Sequence, residues 1–181
     1  MSEITPDDIL SFWREAGEDR WWKKSDAFDA EIREKFLDLW TEAAAGKLAH
    51  WQDSDEGALA LVIVLDQFPR NMFRNDARTY ASDGLAQEVA RGAVAAGCDR
   101  RVHESLRSFL YMPFMHSEQL ADQEQCISLF ESIGQPDSAK WAKHHADIIR
   151  KYGRFPHRNG ILGRVTTPDE QAFLDSGGFS G

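Results

Sequence analysis

The sequence predicts an all-α protein, about eight helices joined by short loops into an antiparallel array. Three observations carry that prediction. Apolar side chains recur three and four residues apart along most of the chain. Helix-starting residues (Thr, Asp, Ser, followed by Pro or acids) and helix-stopping glycines fall at the ends of those stretches. Period-two alternation is nearly absent, so no set of strands is available to pair.

The first element opens on Thr5 with Pro6 behind it, a residue suited to capping followed by one suited to the first helical position. Ile9, Leu10, Phe12 and Trp13 continue it until Gly17 stops the run. Asp26 opens a second helix. Phe28, Ile32, Phe36, Leu39 and Trp40 mark its inner face, and Gly46 closes it. Asp53, Ser54 and Asp55 cap a third, whose stretch from Ala58 to Leu65 is apolar on every side. Such a helix belongs at the centre of a protein. Pro69 is expected to end it.

A polar loop from Asn75 to Thr79 precedes a fourth helix from about Ser82 to Ala96. Gly97 ends that helix, and Asp99 caps a fifth that runs to about Met112, with a break at Pro113. A sixth is expected from Ser117 to Ile133 and a seventh from Asp137 to Gly153. The stretch from Arg154 to Val165 has no clean period and reads as an ordered loop. Thr167-Pro168-Asp169-Glu170 is a capping-box pattern that starts a short last helix. The tail from Ser176 to Gly181 is expected to fray. No linker divides the chain, so residues 1–181 read as one helical domain.

Composition narrows the function classes. There are 21 Lys and Arg against 30 Asp and Glu, a net charge of −9. An acidic chain repels nucleic-acid phosphate, which normally needs a basic face, and anionic membrane surfaces, although net charge alone excludes neither, since a local basic patch can coexist with an acidic surface. The N-terminus has no basic region followed by an apolar one, and no apolar run approaches the roughly 20 residues that a membrane span needs. Cys98 and Cys126 form no metal or disulfide pattern. The expectation is a cytoplasmic protein without nucleic-acid or membrane partners.

Three segments are polar where a helical scaffold calls for core or plain loop. The first is Leu65 to Arg74, LDQFPRNMFR. Asp66 and Gln67 follow the most apolar helix directly, and a buried carboxylate is costly unless paired. Arg70 and Arg74 lie four and eight residues on, within reach along one face. The second is Tyr111 to Glu118, YMPFMHSE. A helix beginning after Pro113 would place His116 at its N-terminus, where the helix dipole favours a neutral imidazole. His116 and Gln123 would then share a face. The third is Tyr152 to Asn159, YGRFPHRN, followed by Arg164. From Lys140 to Arg164 there are seven basic side chains against one acid, Asp147. Focused positive charge of this kind suits an anion, and guanidinium forks match carboxylate or phosphate. Each segment also has a purely structural reading, in which its ion pairs lock helix ends. Metal is not expected, because no dense ligand spacing is present and the arginines oppose a dication. No phosphate-binding loop, dinucleotide fingerprint or nucleophile elbow appears, and no cofactor is implied.

LDQFPRNMFR, MPFMHSE and HADIIRKYGRFPHRN resemble the motifs of a mainly bacterial family, domain of unknown function 924. The resemblance runs from Phe12-Trp13 to the last helix. It implies a tetratricopeptide-like, all-helical fold and no particular activity. The family's recurrent polar positions fall at Asp66, Gln67, Arg70, Asn71, Arg74, His116, Glu118, Gln123, His145, Gly153, Arg154, His157, Arg158 and Asn159. Tyr152 stands where Phe is usual.

Three readings of function follow. In the first, a polar pocket binds an anionic small molecule or peptide carboxylate through Arg70, Asn71, Arg74, Gln123, His145, Arg154, Arg158 and Asn159. In the second, His116 or His157, with Asp66 or Glu118 as partner, performs acid–base chemistry there as a hydrolase or lyase. In the third, the motifs are structural and the array is a scaffold for a protein partner.

Overall fold

A computed structural model describes residues 4–179. Among them the regular elements are helices, with no strand. They form two compact units, one of residues 1–74 and 78–113, the other of residues 75–77 and 114–181. No helix in the described residues is long and apolar enough to cross a membrane.

In the first unit, α1 (Pro6–Trp21) starts on the expected cap. The Thr5 hydroxyl accepts from the Asp8 N–H and the Asp8 carboxylate accepts from the Thr5 N–H. Gly17 breaks the helix, but the chain resumes one further turn to Trp21. Next, α2 (Asp26–Ala44) is capped by Ser25. Then α3 (Asp55–Val62) is buried from Gly57 onward, the central helix that its apolar sequence predicts. The Phe36 and Phe68 rings stack 4.9 Å apart, and Trp13 meets Phe109 edge-on at 5.5 Å.

Pro69 does not end this segment. The chain widens into a π turn over Ile63–Gln67 and continues as α4 (Phe68–Met72). Proline has no N–H to return to the Leu65 carbonyl four residues back. The Ser82 hydroxyl supplies that hydrogen bond instead, at 2.6 Å, and accepts in turn from the Trp40 indole at 3.0 Å. Ser82 therefore makes no side-chain cap for the helix it precedes, α5 (Asp83–Ala95). The single helix expected from Asp99 to Met112 is instead α6 (Glu104–Arg107) between two 3-10 turns, Cys98–Arg100 and Ser108–Leu110.

The chain passes into the second unit through α7 (Met112–Met115), so Pro113 lies inside a short helix rather than at a break. There α8 (Leu120–Ser132) packs along α9 (Pro136–Tyr152). A 3-10 turn, Pro156–Arg158, interrupts the loop that follows, and α10 (Pro168–Asp175) starts on the expected Thr167–Glu170 capping box. The tail is packed as far as Phe179, against the rings of His144, His145, Phe155 and His157. Positions 180 and 181 of the tail expected to fray lie outside the described residues.

Candidate functional site

In the first unit the π turn carries Asp66, wholly buried, and Gln67. The Gln67 amide donates to the Asp66 carboxylate at 2.6 Å, and the Arg70 guanidinium lies 3.4 Å from it. Arg70 also donates to the Asp66 carbonyl at 2.7 Å and grips Asp83 with both terminal nitrogens, at 2.8 and 3.0 Å. Burial works against the guanidinium charge, yet Asp66 and Asp83 outweigh it and hold the pKa above its ordinary value. Arg74 does not continue the row toward Asp66. It forms a fork with Asp29, whose carboxylate also accepts from Asn71 at 2.8 Å. Arg70, Asn71 and Arg74 are thus committed to carboxylates of their own unit.

Sequence reasoning passed over a second feature of this unit. A shallow cavity of about 480 Å³ is lined by Ser54, Asp55, Glu56, Val89, Ala93 and Arg101, among others. Asp55 is paired with Arg101 and accepts from the Cys98 thiol at 2.6 Å. The Arg101 and Cys98 hydrogen bonds hold the Asp55 carboxyl down at about 2, and burial with the same carboxylate pushes the thiol up to about 12. Cys98 is therefore an unreactive thiol.

The second unit gathers His116, Glu118, Gln123, His145, Arg154, His157, Arg158 and Asn159. His116 follows the end of α7 and does not stand at a helix N-terminus; the segment from His116 to Gln119 is non-helical, and α8 starts only at Leu120. No helix N-terminus therefore acts on the His116 imidazole as the sequence suggested. Gln123 does not meet the imidazole. Its buried amide donates to the carbonyls of Met115 and Ser117, at 2.7 and 2.6 Å, and ties that turn to α8.

Glu118 anchors the loop after α9. It accepts the Phe155 N–H at 2.8 Å and both terminal nitrogens of Arg164, at 2.8 and 3.0 Å. Burial raises its pKa, but Arg164, the Phe155 N–H and Arg158 together hold the carboxyl below its ordinary value. Arg154 forks onto Glu170 at 2.7 and 2.8 Å, and Asn159 donates to the same carboxylate at 3.1 Å. Arg154 chiefly, against the opposing effect of burial, brings Glu170 down to about 2. Glu170 and Arg164 are the partners that sequence reasoning left outside its site. Their signal was weak, since Glu170 reads as a capping-box residue.

His145 and His157 lie close to Arg158. Arg158 is 7% exposed, donates to the His116 carbonyl at 2.9 Å and lies over the Phe155 ring at 4.6 Å. His145 shares a 2.8 Å hydrogen bond with the Trp141 carbonyl. A carbonyl only accepts, so Nδ1 of His145 carries the proton and Nε2 is left as an acceptor. Burial, reinforced by neighbouring cations, lowers both His145 and His157 to about 4. Both are neutral at physiological pH. Nδ1 of His157 is buried and has no hydrogen-bond partner. Among the described residues no three His, Cys, Asp or Glu groups are placed to hold a metal ion.

These features define an all-helical protein whose arginine-rich motifs are paired internally, with a neutral imidazole cluster in the second unit. The chain belongs to the family described as bacterial protein of unknown function (DUF924), whose pattern matches residues 9–178. It is similar to a solved structure, a protein of unknown function, ATU0120, from Agrobacterium tumefaciens. The two are 44% identical, with a TM-score of 0.90, and the match covers 94% of this chain and 97% of the other. No curated protein matches the chain.

Proposed function

We propose that the protein binds a small anion, either an anionic metabolite or a peptide carboxylate, at the His145–His157–Arg158 cluster of its second unit. The observation that carries the proposal is the buried Nδ1 of His157, without a hydrogen-bond partner, beside a buried guanidinium. A buried polar atom left unpaired costs roughly 1–3 kcal/mol, which a bound ligand would recover. The cluster offers a fixed cation, an uncommitted imidazole nitrogen and, at Nε2 of His145, an acceptor. An anion that also carries a hydroxyl matches that set. Arg154 and Arg164 hold the walls through Glu170 and Glu118 and do not grip ligand.

The acid–base reading pairs His116 or His157 with Asp66 or Glu118. Asp66 is held by Gln67 and Arg70, Glu118 by Arg164 and the Phe155 N–H, and Nδ1 of His157 has no hydrogen-bond partner, so binding is the better-supported role. A tetratricopeptide-like stacking, a protein partner and a cytoplasmic location remain part of the same proposal. The net charge of −9 and two free, buried cysteines support the location.

The test is a thermal-shift panel of phosphate, citrate, acetate and short peptides on the native protein and on Arg158→Lys and Arg158→Ala. A ligand at 100 times its Kd adds about 2.7 kcal/mol, or roughly 5–10 °C for a chain of this size. The proposal expects a shift in the native protein that shrinks in both variants. A panel without any shift, or a shift that both variants keep, would overturn it.

A further inference from the structure

The cavity of the first unit lies between the start of α3 and one face of α5. Its volume of about 480 Å³ falls within the roughly 300–1,000 Å³ of small-molecule sites. The α5 wall is Val89, Gly92, Ala93 and the C-cap Ala96, three and four residues apart and so on one face, with no side chain longer than valine. A Cβ added at Gly92 would meet nothing within 4 Å, so the hollow is open over that position. The other wall is acidic. Asp53, Asp55 and Glu56 line the cavity with a single cation, Arg101. Asp55 takes two nitrogens of that guanidinium, at 2.6 and 2.8 Å, and these two charges cancel. Asp53 and Glu56 are exposed and enter no ion pair among the described residues. Two negative charges are left over. The positive end of α3 offsets roughly half a charge at most, and its Gly57 N–H is already taken by the Ser54 hydroxyl.

A compact dication does not fit this wall, since no three carboxylates, imidazoles or thiols among the described residues are grouped to hold a metal ion. A dication whose charges stand apart on an apolar chain does fit. Ammonium ends suit the two spare carboxylates, and methylenes suit the valine and alanine wall. We propose that the cavity binds a short aliphatic diamine, with its ammonium groups held by Asp53 and Glu56 and its methylene chain on the α5 wall. The site shares no residue with the His145–His157–Arg158 cluster, so each reading can fail without the other. In the sequence, Asp53, Ser54 and Asp55 read only as caps for α3, and nothing in their spacing pointed to the hollow beside them.

Putrescine tests it by calorimetric titration at fixed ionic strength. Butylamine, butane-1,4-diol and magnesium chloride are the singly charged, uncharged and compact-dication controls. The native protein is expected to bind putrescine roughly tenfold or more tightly than butylamine or magnesium, the equivalent of one hydrogen bond to a charged group, and to show no heat with the diol. Glu56→Gln and Asp53→Asn should each weaken putrescine by about the same factor. Gly92→Leu changes no charge and fills the hollow. Leucine favours a helix over glycine, so this variant should melt no lower than the native protein while its putrescine binding is lost. Putrescine that binds no better than butylamine or magnesium would overturn the site. So would native affinity in Gly92→Leu, or in both carboxylate variants.

Discussion

Replacing Glu118 with Gln isolates the lock on the loop after α9. The substitution keeps shape and one accepting oxygen, so the Phe155 N–H retains a partner, but the charge that Arg164 grips in two places is lost. Removing one partner of a buried ion pair costs about 3–5 kcal/mol. Here the two side chains are 23% and 28% exposed, so water screens part of the loss. The expected cost is about 2–3 kcal/mol at pH 7, below the range for a fully buried pair and above that for a surface one. The sign of its pH dependence is fixed by the depressed pKa of Glu118. A carboxyl held below its unfolded value contributes stability above that value and loses it as the native protein takes up the proton. The gap between native protein and variant should therefore be full at neutral pH and close as pH falls below about 4.5. Urea unfolding at pH 7, 5 and 3.5 measures it, and hydrogen exchange of the Phe155 amide should speed up in the variant at pH 7. A gap under about 0.5 kcal/mol at pH 7, or one that persists undiminished at pH 3.5, would refute the lock.

Other consequences reach different parts of the molecule. Ser82→Ala should cost about 2–4 kcal/mol in urea unfolding, because it strands both the Leu65 carbonyl and the Trp40 indole in the core; a change below 1 kcal/mol would mean those groups find other partners. Gly57→Ala would normally favour a helix by roughly 1 kcal/mol, yet here a Cβ would lie 2.0 Å from the Trp51 carbonyl oxygen, so melting should show destabilisation instead. His145 and His157 should stay neutral until pH is near 4, as followed by their ring-proton shifts. Because the unfolded chain takes up those protons near pH 6.5, the two imidazoles should weaken the native state as pH falls from about 6.5 to 4.

The helical scaffold was largely readable because its signals are local. An all-apolar octet announces a central helix, and the Thr5 and Thr167 caps need only residues three positions on. The polar motifs were readable as unusual, but not as paired. Asp29 meets Arg74 across 45 residues and Glu118 meets Arg164 across 46, separations about which spacing says nothing. The same limit explains the helix that runs through Pro69, since its missing hydrogen bond is replaced by Ser82, on another segment. It explains His116 as well: Pro113 reads as a break in the sequence, whereas Met112–Met115 forms a turn of helix around it. Phe179 was hidden in a glycine-rich tail whose composition suggests fraying, although those glycines are what the packed turn requires.

The central claim is that an anion sits among His145, His157 and Arg158. Titrating inorganic phosphate into the native protein at constant ionic strength, while following the ring resonances of His145 and His157, addresses it without any variant. The account predicts saturable shifts of both imidazoles with a single dissociation constant. Resonances that stay still, or drift in proportion to phosphate without saturating, would contradict it.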